Sequence, residues 1–268
     1  MSQSSHADLL QRIHAALEAA RIVFSRFTPG EIAAEYKAGH DPVTEADKAV
    51  DSVLRKELLR HDEGWLSEES VDDFSRLEKE RVWVVDPLDG TREFIAGIPE
   101  FCVSVAMVES GRPIAGGICN PVTNEIFLGS VDRGTTYNGT PVQISQRKNL
   151  DGAVVLASRS ETKRGEWTQF EGAQFTVRPM GSVAYKLARV SAGLDDATFT
   201  RTPKHEWDVA AGAALVESSC GFVRTLEDRP LRCNNRSPKI SGLIACGPYM
   251  KDDLTALIRR VHLPSLSR

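Results

Sequence analysis

The sequence predicts a mixed α and β fold whose two halves are organised differently. In the first half, two helical patterns precede a series of strand-like segments joined by turn signals, which predicts helices packed on an antiparallel sheet. In the second half, strands and helices alternate along the chain, as in an α/β arrangement. Because no long linker separates the halves, residues 1–143 and 144–268 are expected to form two subdomains with the functional site between them.

The first half begins with two amphipathic helices. Apolar residues recur at helical spacing between about residues 7 and 27. The segment Thr44-Glu-Ala-Asp47 has the form of a capping box, so a second helix is expected to begin there. The segment 65–70, Trp-Leu-Ser-Glu-Glu-Ser, is a short apolar run that leads into two acids.

Strands dominate the rest of the first half, and strands alternate with helices in the second. Glu109–Arg112 and Asn138-Gly139 have the composition of tight turns between strands. First-half strands are expected around Trp83 and at 101–108, 114–119 and 126–128. In the second half, strands are expected at 153–158, 175–178 and 197–200, and helices at 183–192 and 209–218.

The composition is that of an ordinary soluble globular protein. Hydrophobic residues make up 41% and charged residues 26% of the chain, and the formal net charge is −4. This weak acidic charge, without a basic stripe carrying interleaved aromatics, argues against a nucleic-acid polymer as partner. No segment has the length of a transmembrane helix or the pattern of a signal peptide, so no membrane association and a cytoplasmic location are expected.

The five cysteines indicate a reduced protein. Their number is odd, and none of them forms a Cys-x-x-Cys pair. A disulfide framework or a zinc site built from cysteines is therefore not expected.

Two carboxylates follow the strand at Trp83, in the run Trp83-Val-Val-Asp-Pro-Leu-Asp-Gly-Thr91. Pro87 lacks the N–H that a sheet ladder needs, so the strand is expected to end there. Asp86 and Asp89 would then lie close together and repel each other unless a cation or a proton lies between them. Oxygen ligands of this kind suit Mg²⁺ or Mn²⁺, and the N–H groups of a helix that starts after Asp89 suit a phosphate. The motif therefore indicates metal-assisted phosphoryl chemistry.

A second acidic motif, Glu206-Trp-Asp-Val-Ala-Ala-Gly212, lies far away in the sequence. Each acid has a purely structural alternative. Asp208 and Asp47 could serve only as acids at helix N-termini. Glu68 and Glu69 could form a solvated acidic turn.

Four segments together carry a resemblance to a known family. In order, they are Asp41-Pro-Val-Thr-Glu-Ala-Asp47, Ser67-Glu-Glu-Ser70, Asp86-Pro-Leu-Asp-Gly-Thr91 and Glu206-Trp-Asp-Val-Ala-Ala-Gly212. This set resembles the inositol monophosphatase family of Mg²⁺-dependent, lithium-sensitive phosphomonoesterases, which includes 3′(2′),5′-bisphosphate nucleotidases. The resemblance covers nearly the whole chain and implies a layered αβαβα sandwich. It also implies inhibition by Li⁺ and a possible homodimer.

The resemblance implies a role for each residue of the motifs. Two or three Mg²⁺ ions, for which Mn²⁺ could substitute, would be held by Glu68, Asp86, the carbonyl of Leu88, Asp89 and Asp208. Thr91 and Glu68 would position the attacking water, with Asp47 accepting a hydrogen bond from Thr91. Gly90 and Thr91 would offer N–H groups to the phosphate. Gly181, Ser182, Arg201 and Asp208 would contact the rest of the substrate.

The sequence gives conflicting indications of the substrate. A second phosphate on the substrate is favoured by the run Arg92-Glu-Phe94. It is also favoured by Arg201, at a position where inositol-specific members carry a glutamate. The segments 97–105 and 120–121 instead resemble the inositol branch. The favoured reaction is hydrolysis of the 3′-phosphate of adenosine 3′,5′-bisphosphate. Inositol monophosphate or a related sugar phosphate is the alternative substrate.

Three further alternatives remain open. Arg92 and Arg201 could form surface salt bridges rather than contact substrate. His205, which lies beside a metal-ligand motif, could contact the substrate, and His40 flanks the motif at Asp41. A non-catalytic, metal-binding regulatory protein is the alternative function of a different class.

Overall fold

The computed structural model describes residues 3–36 and 42–260, so His40 and Asp41 lie outside the described residues. The helices are α1 (Gln3–Phe24), α2 (Glu45–Leu58), α3 (Thr91–Ile95), α4 (Arg159–Lys163), α5 (Val183–Ser191), α6 (Glu206–Ser218) and α7 (Lys251–Arg260). Short 3₁₀ helices lie at Ser75–Glu78 and Thr168–Phe170.

The strands form two larger sheets and two short ribbons. They are β1 (Glu35–Tyr36), β2 (Pro42–Val43), β3 (Gly64–Ser67), β4 (Arg81–Asp89), β5 (Cys102–Glu109), β6 (Arg112–Asn120), β7 (Glu125–Ser130), β8 (Gly134–Tyr137), β9 (Thr140–Pro141), β10 (Val154–Ser158), β11 (Thr176–Met180), β12 (Ala197–Thr200), β13 (Lys204–His205), β14 (Phe222–Thr225), β15 (Lys239–Ile240) and β16 (Leu243–Cys246). The ribbons are β1–β2 and β13–β15.

The first sheet has seven strands in the order β3 to β9. All neighbours are antiparallel except β3 and β4, which run parallel. Trp83 and Val85 pack against α1 and α2 on one face, whereas Val82 and Val84 pack against α5 and α6 on the other. Because both faces are covered, residues 82–85 of β4 are all hydrophobic instead of alternating with polar residues.

The second sheet has five strands in the order β11-β10-β12-β16-β14. The first three are parallel, and β16 runs antiparallel to both β12 and β14. One face packs on α5 and α6, and the other packs on α7 and the 3₁₀ helix at 168–170. The layers are therefore α1/α2, first sheet, α5/α6, second sheet and α7, which is the αβαβα sandwich that the resemblance implied.

The helix starts and tight turns follow the sequence patterns closely. Thr44 caps α2, and both hydrogen bonds of its capping box with Asp47 are present. The turns at 109–112 and 138–139 join β5 to β6 and β8 to β9. The expectation that the helix near Asp208 begins at residue 209 was wrong, because α6 begins at Glu206 and carries Asp208 inside its first turn.

The expected end of β4 at Pro87 was also wrong. The strand continues to Asp89, and its pairing with β5 shifts between the pairs Asp86–Ser104 and Asp89–Cys102. An irregularity of this kind leaves a residue out of the ladder, so the missing N–H of Pro87 breaks no pairing.

One hydrophobic core extends across the expected subdomain boundary at residue 143. It contains Leu66 and Val84 from the first half, together with Leu187 and Val209 from the second. The division into two subdomains stays a prediction. In the described ranges, none of the helices combines the length and the apolar character needed to cross a membrane.

Candidate metal centre and active site

Three carboxylates from distant parts of the chain converge at one edge of the first sheet. Glu68 directly follows β3, Asp86 lies near the end of the parallel neighbour β4, and Asp208 lies in the first turn of α6. One carboxylate oxygen from each lies within 4.8 Å of the other two. This spacing allows all three to bind the same divalent cation, for which oxygen ligands are preferred.

Asp86 contributes a buried carboxylate oxygen that has no hydrogen-bond partner among the described residues. The residue is 1% exposed. Its Oδ1 accepts the Leu88 N–H at 3.0 Å, whereas its buried Oδ2 has no hydrogen-bond partner within the described ranges. A buried carboxylate oxygen without a partner is costly. The residues present therefore fit a metal ion, with Asp86, Glu68 and Asp208 as its candidate ligands.

The electrostatics of the cluster lead to the same conclusion. Burial raises the pKa of Asp86 well above its ordinary value, and the nearby Glu68, Asp89 and Asp208 raise it further. Burial, followed by the charge of Asp89, raises the pKa of Asp208 to about 8. Without a cation the raised pKa values favour the protonated carboxyl groups, and a bound cation would favour their ionised forms.

The loop that carries Glu68 is anchored on α2. Asp51 accepts hydrogen bonds from Ser67 Oγ at 2.5 Å and Ser70 Oγ at 2.8 Å, on either side of Glu68. The Glu68 N–H also donates to the carbonyl of Val85 on β4 at 3.3 Å. These contacts hold Glu68 beside the end of β4.

Asp89 is oriented by the second half of the chain. Its Oδ2 accepts hydrogen bonds from Ser182 Oγ and from the Ala184 N–H, both at 2.6 Å, at the start of α5. Its Oδ1 takes no part in these two bonds. Asp89 is not one of the three carboxylates that converge within 4.8 Å, and its role as a metal ligand stays a prediction.

Thr91 lies between two acceptors. Its Oγ1 is 3.3 Å from Asp47 Oδ1 and 3.0 Å from the carbonyl of Leu88. Asp47 is itself held in place, because its Oδ2 accepts from the Thr44 N–H at 2.7 Å and from Thr44 Oγ1 at 2.6 Å. A hydroxyl donates one proton and keeps its lone pairs, so Thr91 can accept a hydrogen bond from a water.

Gly90 places backbone N–H groups at the same site. It precedes α3 with φ of 100°, and a Cβ built there would lie 2.9 Å from the carbonyl oxygen of Glu100. Both the conformation and the close approach therefore require glycine. The first N–H groups of α3 have no acceptor within the helix, so they can bind the oxygens of a phosphate.

Comparison with known proteins identifies the family. A sequence profile of the inositol monophosphatase family matches residues 7–262. The chain belongs to the inositol monophosphatase family. It is 34% identical over 221 residues to the Nus factor SuhB of Xylella fastidiosa, a match that covers 78% of each chain. It is 31% identical over 220 residues to the inositol-1-monophosphatase of Rhizobium meliloti, covering 79% of this chain and 80% of that one.

A solved structure of the family has the same fold. The inositol monophosphatase of Anabaena superposes with a TM-score of 0.78 at 28% identity, covering 98% of this chain and 99% of that one. The resemblance inferred from the motifs and the αβαβα sandwich are thus confirmed. Members of the inositol monophosphatase family are phosphatases, so the chain is a phosphoric monoester hydrolase. The family depends on Mg²⁺, and the carboxylate cluster could hold such an ion.

Most of the predicted site residues line a cleft of about 420 Å³. The predicted site residues that line the cleft are Glu68, Leu88, Asp89, Gly90, Thr91, Gly181, Ser182 and Asp208. Asp86 is buried and does not line the cleft itself. Asp47 is also buried, and it contacts the site by accepting a hydrogen bond from Thr91. The structure therefore brings together the residues predicted for metal, water and phosphate.

Arg201 is placed differently from the other predicted residues. It is not among the residues that line the cleft, whereas Arg92 and His205 are. Its Nη1 is buried and has no hydrogen-bond partner among the residues that the structure describes. Burial lowers its pKa, and the charges that act against this are those of Glu166 and Glu161. Its role as a substrate contact stays a prediction.

Lys186 was missed in the sequence, although it lines the cleft. It is 3% exposed, and its Nζ donates to the carbonyls of Ser182 at 2.8 Å and Met180 at 3.3 Å. Burial lowers its pKa to about 8. Within the described part of the chain it forms no ion pair, in contrast to Arg159, which pairs with Glu100 at 2.5 Å. An ammonium group has three donors, so Lys186 keeps one for a further acceptor.

Lysine in a helix ordinarily points to solvent, and only its position in an apolar run could have signalled burial. Lys186 lies between Tyr185 and Leu187, in a helix that packs between two sheets. Lys204, another cation of the cleft, lies two residues before the second acidic motif and has no sequence signal of its own.

Proposed function

We propose that the chain is a Mg²⁺-dependent phosphomonoesterase whose substrate carries a second anionic group, with adenosine 3′,5′-bisphosphate as the favoured substrate and its 3′-phosphate as the group removed. Two observations support the hydrolytic part of the proposal: Glu68, Asp86 and Asp208 converge, and the buried Oδ2 of Asp86 has no partner among the described residues. Asp89 and the carbonyl of Leu88 are the proposed additional ligands.

A divalent cation bound at this site supplies an activated water and neutralises charge on the phosphate. The chain supplies the positions. Thr91, whose hydroxyl proton is held by Asp47 or by the Leu88 carbonyl, accepts a hydrogen bond from the attacking water together with Glu68. The N–H groups of Gly90 and Thr91 bind the phosphate oxygens and orient the ester for in-line attack.

Lys186 supports the choice of a substrate with two anionic groups. It is a nearly buried cation without a carboxylate partner among the described residues, in the same cleft as the carboxylates. A phosphate that accepts the third N–H of Lys186 would take the place of the water that the buried ammonium group has lost. Lys204 and Arg92 line the same cleft and add positive charge. Lys186 would thus contact the second anionic group of the substrate, as was expected of Arg201.

Inositol 1-phosphate is the second candidate substrate. It is favoured by the names of the relatives, since those of Rhizobium meliloti and Mesembryanthemum crystallinum are an inositol-1-monophosphatase and an inositol monophosphatase. Its ring offers hydroxyl groups and no second anion. Two carboxylates outside the cluster, Glu93 and Glu161, line the cleft and could face ring hydroxyls. Both oxygens of the buried Glu161 already accept hydrogen bonds, from Thr200 and Trp167.

The test compares phosphate release from adenosine 3′,5′-bisphosphate, adenosine 3′-monophosphate and inositol 1-phosphate, each with Mg²⁺ and with EDTA. We expect activity only with Mg²⁺, and a kcat/KM about a hundredfold higher for the bisphosphate than for the monophosphate. Equal values for the two nucleotides would contradict a second anion site. A preference for inositol 1-phosphate would support the second candidate, and hydrolysis of none would contradict both candidates and indicate a different phosphate ester.

The remaining expectations of the resemblance are also part of this proposal. They are inhibition by Li⁺, replacement of Mg²⁺ by Mn²⁺, binding of two or three ions, a homodimer and a cytoplasmic location. Li⁺ titration of phosphate release and sedimentation equilibrium of the purified chain test the inhibition and the dimer.

A further inference from the structure

A hydrogen-bond network connects the segments that carry two of the candidate metal ligands, through residues that do not line the cleft. Glu68 follows β3, and Asp208 lies in α6, so the two come from different halves of the chain. The network contains Arg76, which is 1% exposed, and Glu206, which is 0% exposed. Charged side chains are almost never this deeply buried unless they are paired.

Arg76 is attached to the part of the chain around Glu68. Its guanidinium donates to both oxygens of Asp72, four residues after Glu68, with Nη2 2.8 Å from Oδ2. Its backbone packs on the start of β3, because a Cβ built on Gly64 would lie 3.0 Å from the Arg76 Cα. The position of Arg76 is therefore coupled to the strand that leads into Glu68.

The same guanidinium reaches a turn formed by Asn234 and Asn235. Arg76 donates to Asn234 Oδ1 at 2.7 Å and to the carbonyl of Asn235 at 2.9 Å. In return, the side chain of Asn234 donates to the Arg76 carbonyl at 3.2 Å. Arg76 thus holds this turn through three hydrogen bonds.

Glu206 holds the turn from the other side. Its carboxylate accepts the N–H of Asn234 at 2.6 Å, the N–H of Asn235 at 2.9 Å and the side-chain amide of Asn235 at 2.8 Å. Glu206 is the first residue of α6 and stands two residues before Asp208. The turn is therefore hydrogen-bonded both to Arg76, which is attached to the segment of Glu68, and to Glu206, which lies in the same helical turn as Asp208.

We propose that Arg76 and Glu206 are positioning residues, which set the separation of Glu68 and Asp208 and so the affinity of the site for divalent cations. Neither residue lines the cleft or belongs to the carboxylate cluster. The inference rests on the metal site of the proposed function and is independent of the choice of substrate. Interactions behind the ligands of a metal commonly tune its affinity by orienting those ligands.

Arg76 could affect cation affinity through its positive charge or through the position of the ligands, and the two effects of removing it have opposite signs. Arg76→Met removes a positive charge and leaves Asp72 unpaired, so the field alone would strengthen cation binding. If Arg76 positions Glu68 and Asp208, the same substitution weakens binding. Asn234→Gly leaves the charge unchanged and removes the two side-chain hydrogen bonds with Arg76. It is conformationally mild, since Asn234 has φ of 63° and glycine adopts this conformation readily.

The experiment measures Mn²⁺ binding to the metal-free full chain by calorimetry, alongside the melting temperature of each variant. We expect Arg76→Met and Asn234→Gly to raise the Kd about tenfold. The control is Asp195→Asn, which neutralises a carboxylate paired with Arg178 and Arg189 away from the cleft. Its Kd should stay within about twofold of wild type even if its melting temperature falls equally.

Three outcomes would overturn the proposal. They are tighter binding by Arg76→Met, unchanged binding by Asn234→Gly, and a Kd that rises for the control as much as for the variants. Absence of Mn²⁺ binding by the wild type would contradict the metal site itself. A chain that binds Mn²⁺ but hydrolyses only inositol 1-phosphate would contradict the favoured substrate while leaving this proposal intact.

Discussion

Ser182 Oγ donates a hydrogen bond of 2.6 Å to Asp89 Oδ2, and this bond connects the two halves of the chain at the active site. The same hydroxyl oxygen accepts the N–H of Tyr185 at 3.0 Å and thereby caps α5. Ser182 has φ of 52°, an uncommon conformation for a residue with a side chain. One hydroxyl therefore starts a helix and orients a predicted metal ligand.

Ser182→Ala is expected to lower both stability and metal affinity. It removes the cap of α5 and one of the two bonds to Asp89, which should cost about 1–2 kcal/mol in the free energy of unfolding. Urea unfolding and Mn²⁺ calorimetry measure the two effects. Ser191→Ala, which removes a buried hydroxyl bonded to the Ala188 carbonyl at the other end of α5, serves as control. It should affect stability alone, and an equal loss of Mn²⁺ affinity in both variants would contradict the role of Ser182.

Removal of metal should make stability depend on pH. The pKa values of Asp86 and Asp208 are raised in the folded chain, that of Asp208 from 3.8 to about 8. The folded state then holds protons that the unfolded state releases, so stability is present at low pH and is lost as pH rises from about 4 through about 8. We expect the melting temperature in EDTA to fall over this range.

Mg²⁺ should reverse that trend, because metal binding favours the ionised carboxylates. The difference in melting temperature between Mg²⁺ and EDTA should therefore grow with pH. Asp208→Asn, which cannot ionise at this position, should show a smaller fall in EDTA. A fall of the same size in this variant would assign the pH dependence to other groups.

Lys186 should control the preference for a second phosphate. Burial lowers its pKa to about 8, so it is cationic at neutral pH and loses its charge as the pH rises through about 8. The ratio of kcat/KM for adenosine 3′,5′-bisphosphate to that for adenosine 3′-monophosphate should fall over this range, since only the bisphosphate uses the charge.

Lys186→Met should remove the preference at neutral pH. We expect a loss of about tenfold to a hundredfold in kcat/KM for the bisphosphate and little change for the monophosphate. Arg164→Met is the matched control, because Arg164 lines the same cleft but pairs with Glu166 at 2.5 Å. An equal loss for both substrates would instead make Lys186 a counter-ion of Asp89.

The parts of the site that the residues predicted without the family resemblance are short-range features. Asp86, Asp89, Gly90 and Thr91 lie in one run, and a strand followed by a short helix places them together without reference to the rest of the chain. The capping box at Thr44 is equally local, and it also fixes the orientation of Asp47. Such features depend on backbone geometry and on neighbouring residues, which a single sequence shows directly.

The parts that the sequence did not predict depend on long-range packing. Burial of Lys186 follows from the enclosure of α5 between two sheets, and the contacts of Arg76 with Asn234 join residues 158 positions apart. Arg201 does not line the cleft, because its spacing from Asp208 along the chain does not determine the direction of a side chain in a loop. Its contact with the substrate stays a prediction. Pro87 was expected to end β4, although a shift in pairing accommodates it.

Thr91 should act through its hydroxyl on the attacking water and not through the metal. Thr91→Val keeps the shape of the side chain but can neither donate to Asp47 or Leu88 nor accept from a water. We expect kcat to fall by at least about a hundredfold, as is typical when a group that assists proton transfer is lost. Mn²⁺ affinity by calorimetry should stay within about twofold, because no oxygen of the carboxylate cluster changes. Thr91→Ser restores the hydroxyl and should recover most of the rate, whereas a Thr91→Val variant as active as wild type would show that Glu68 alone positions the water.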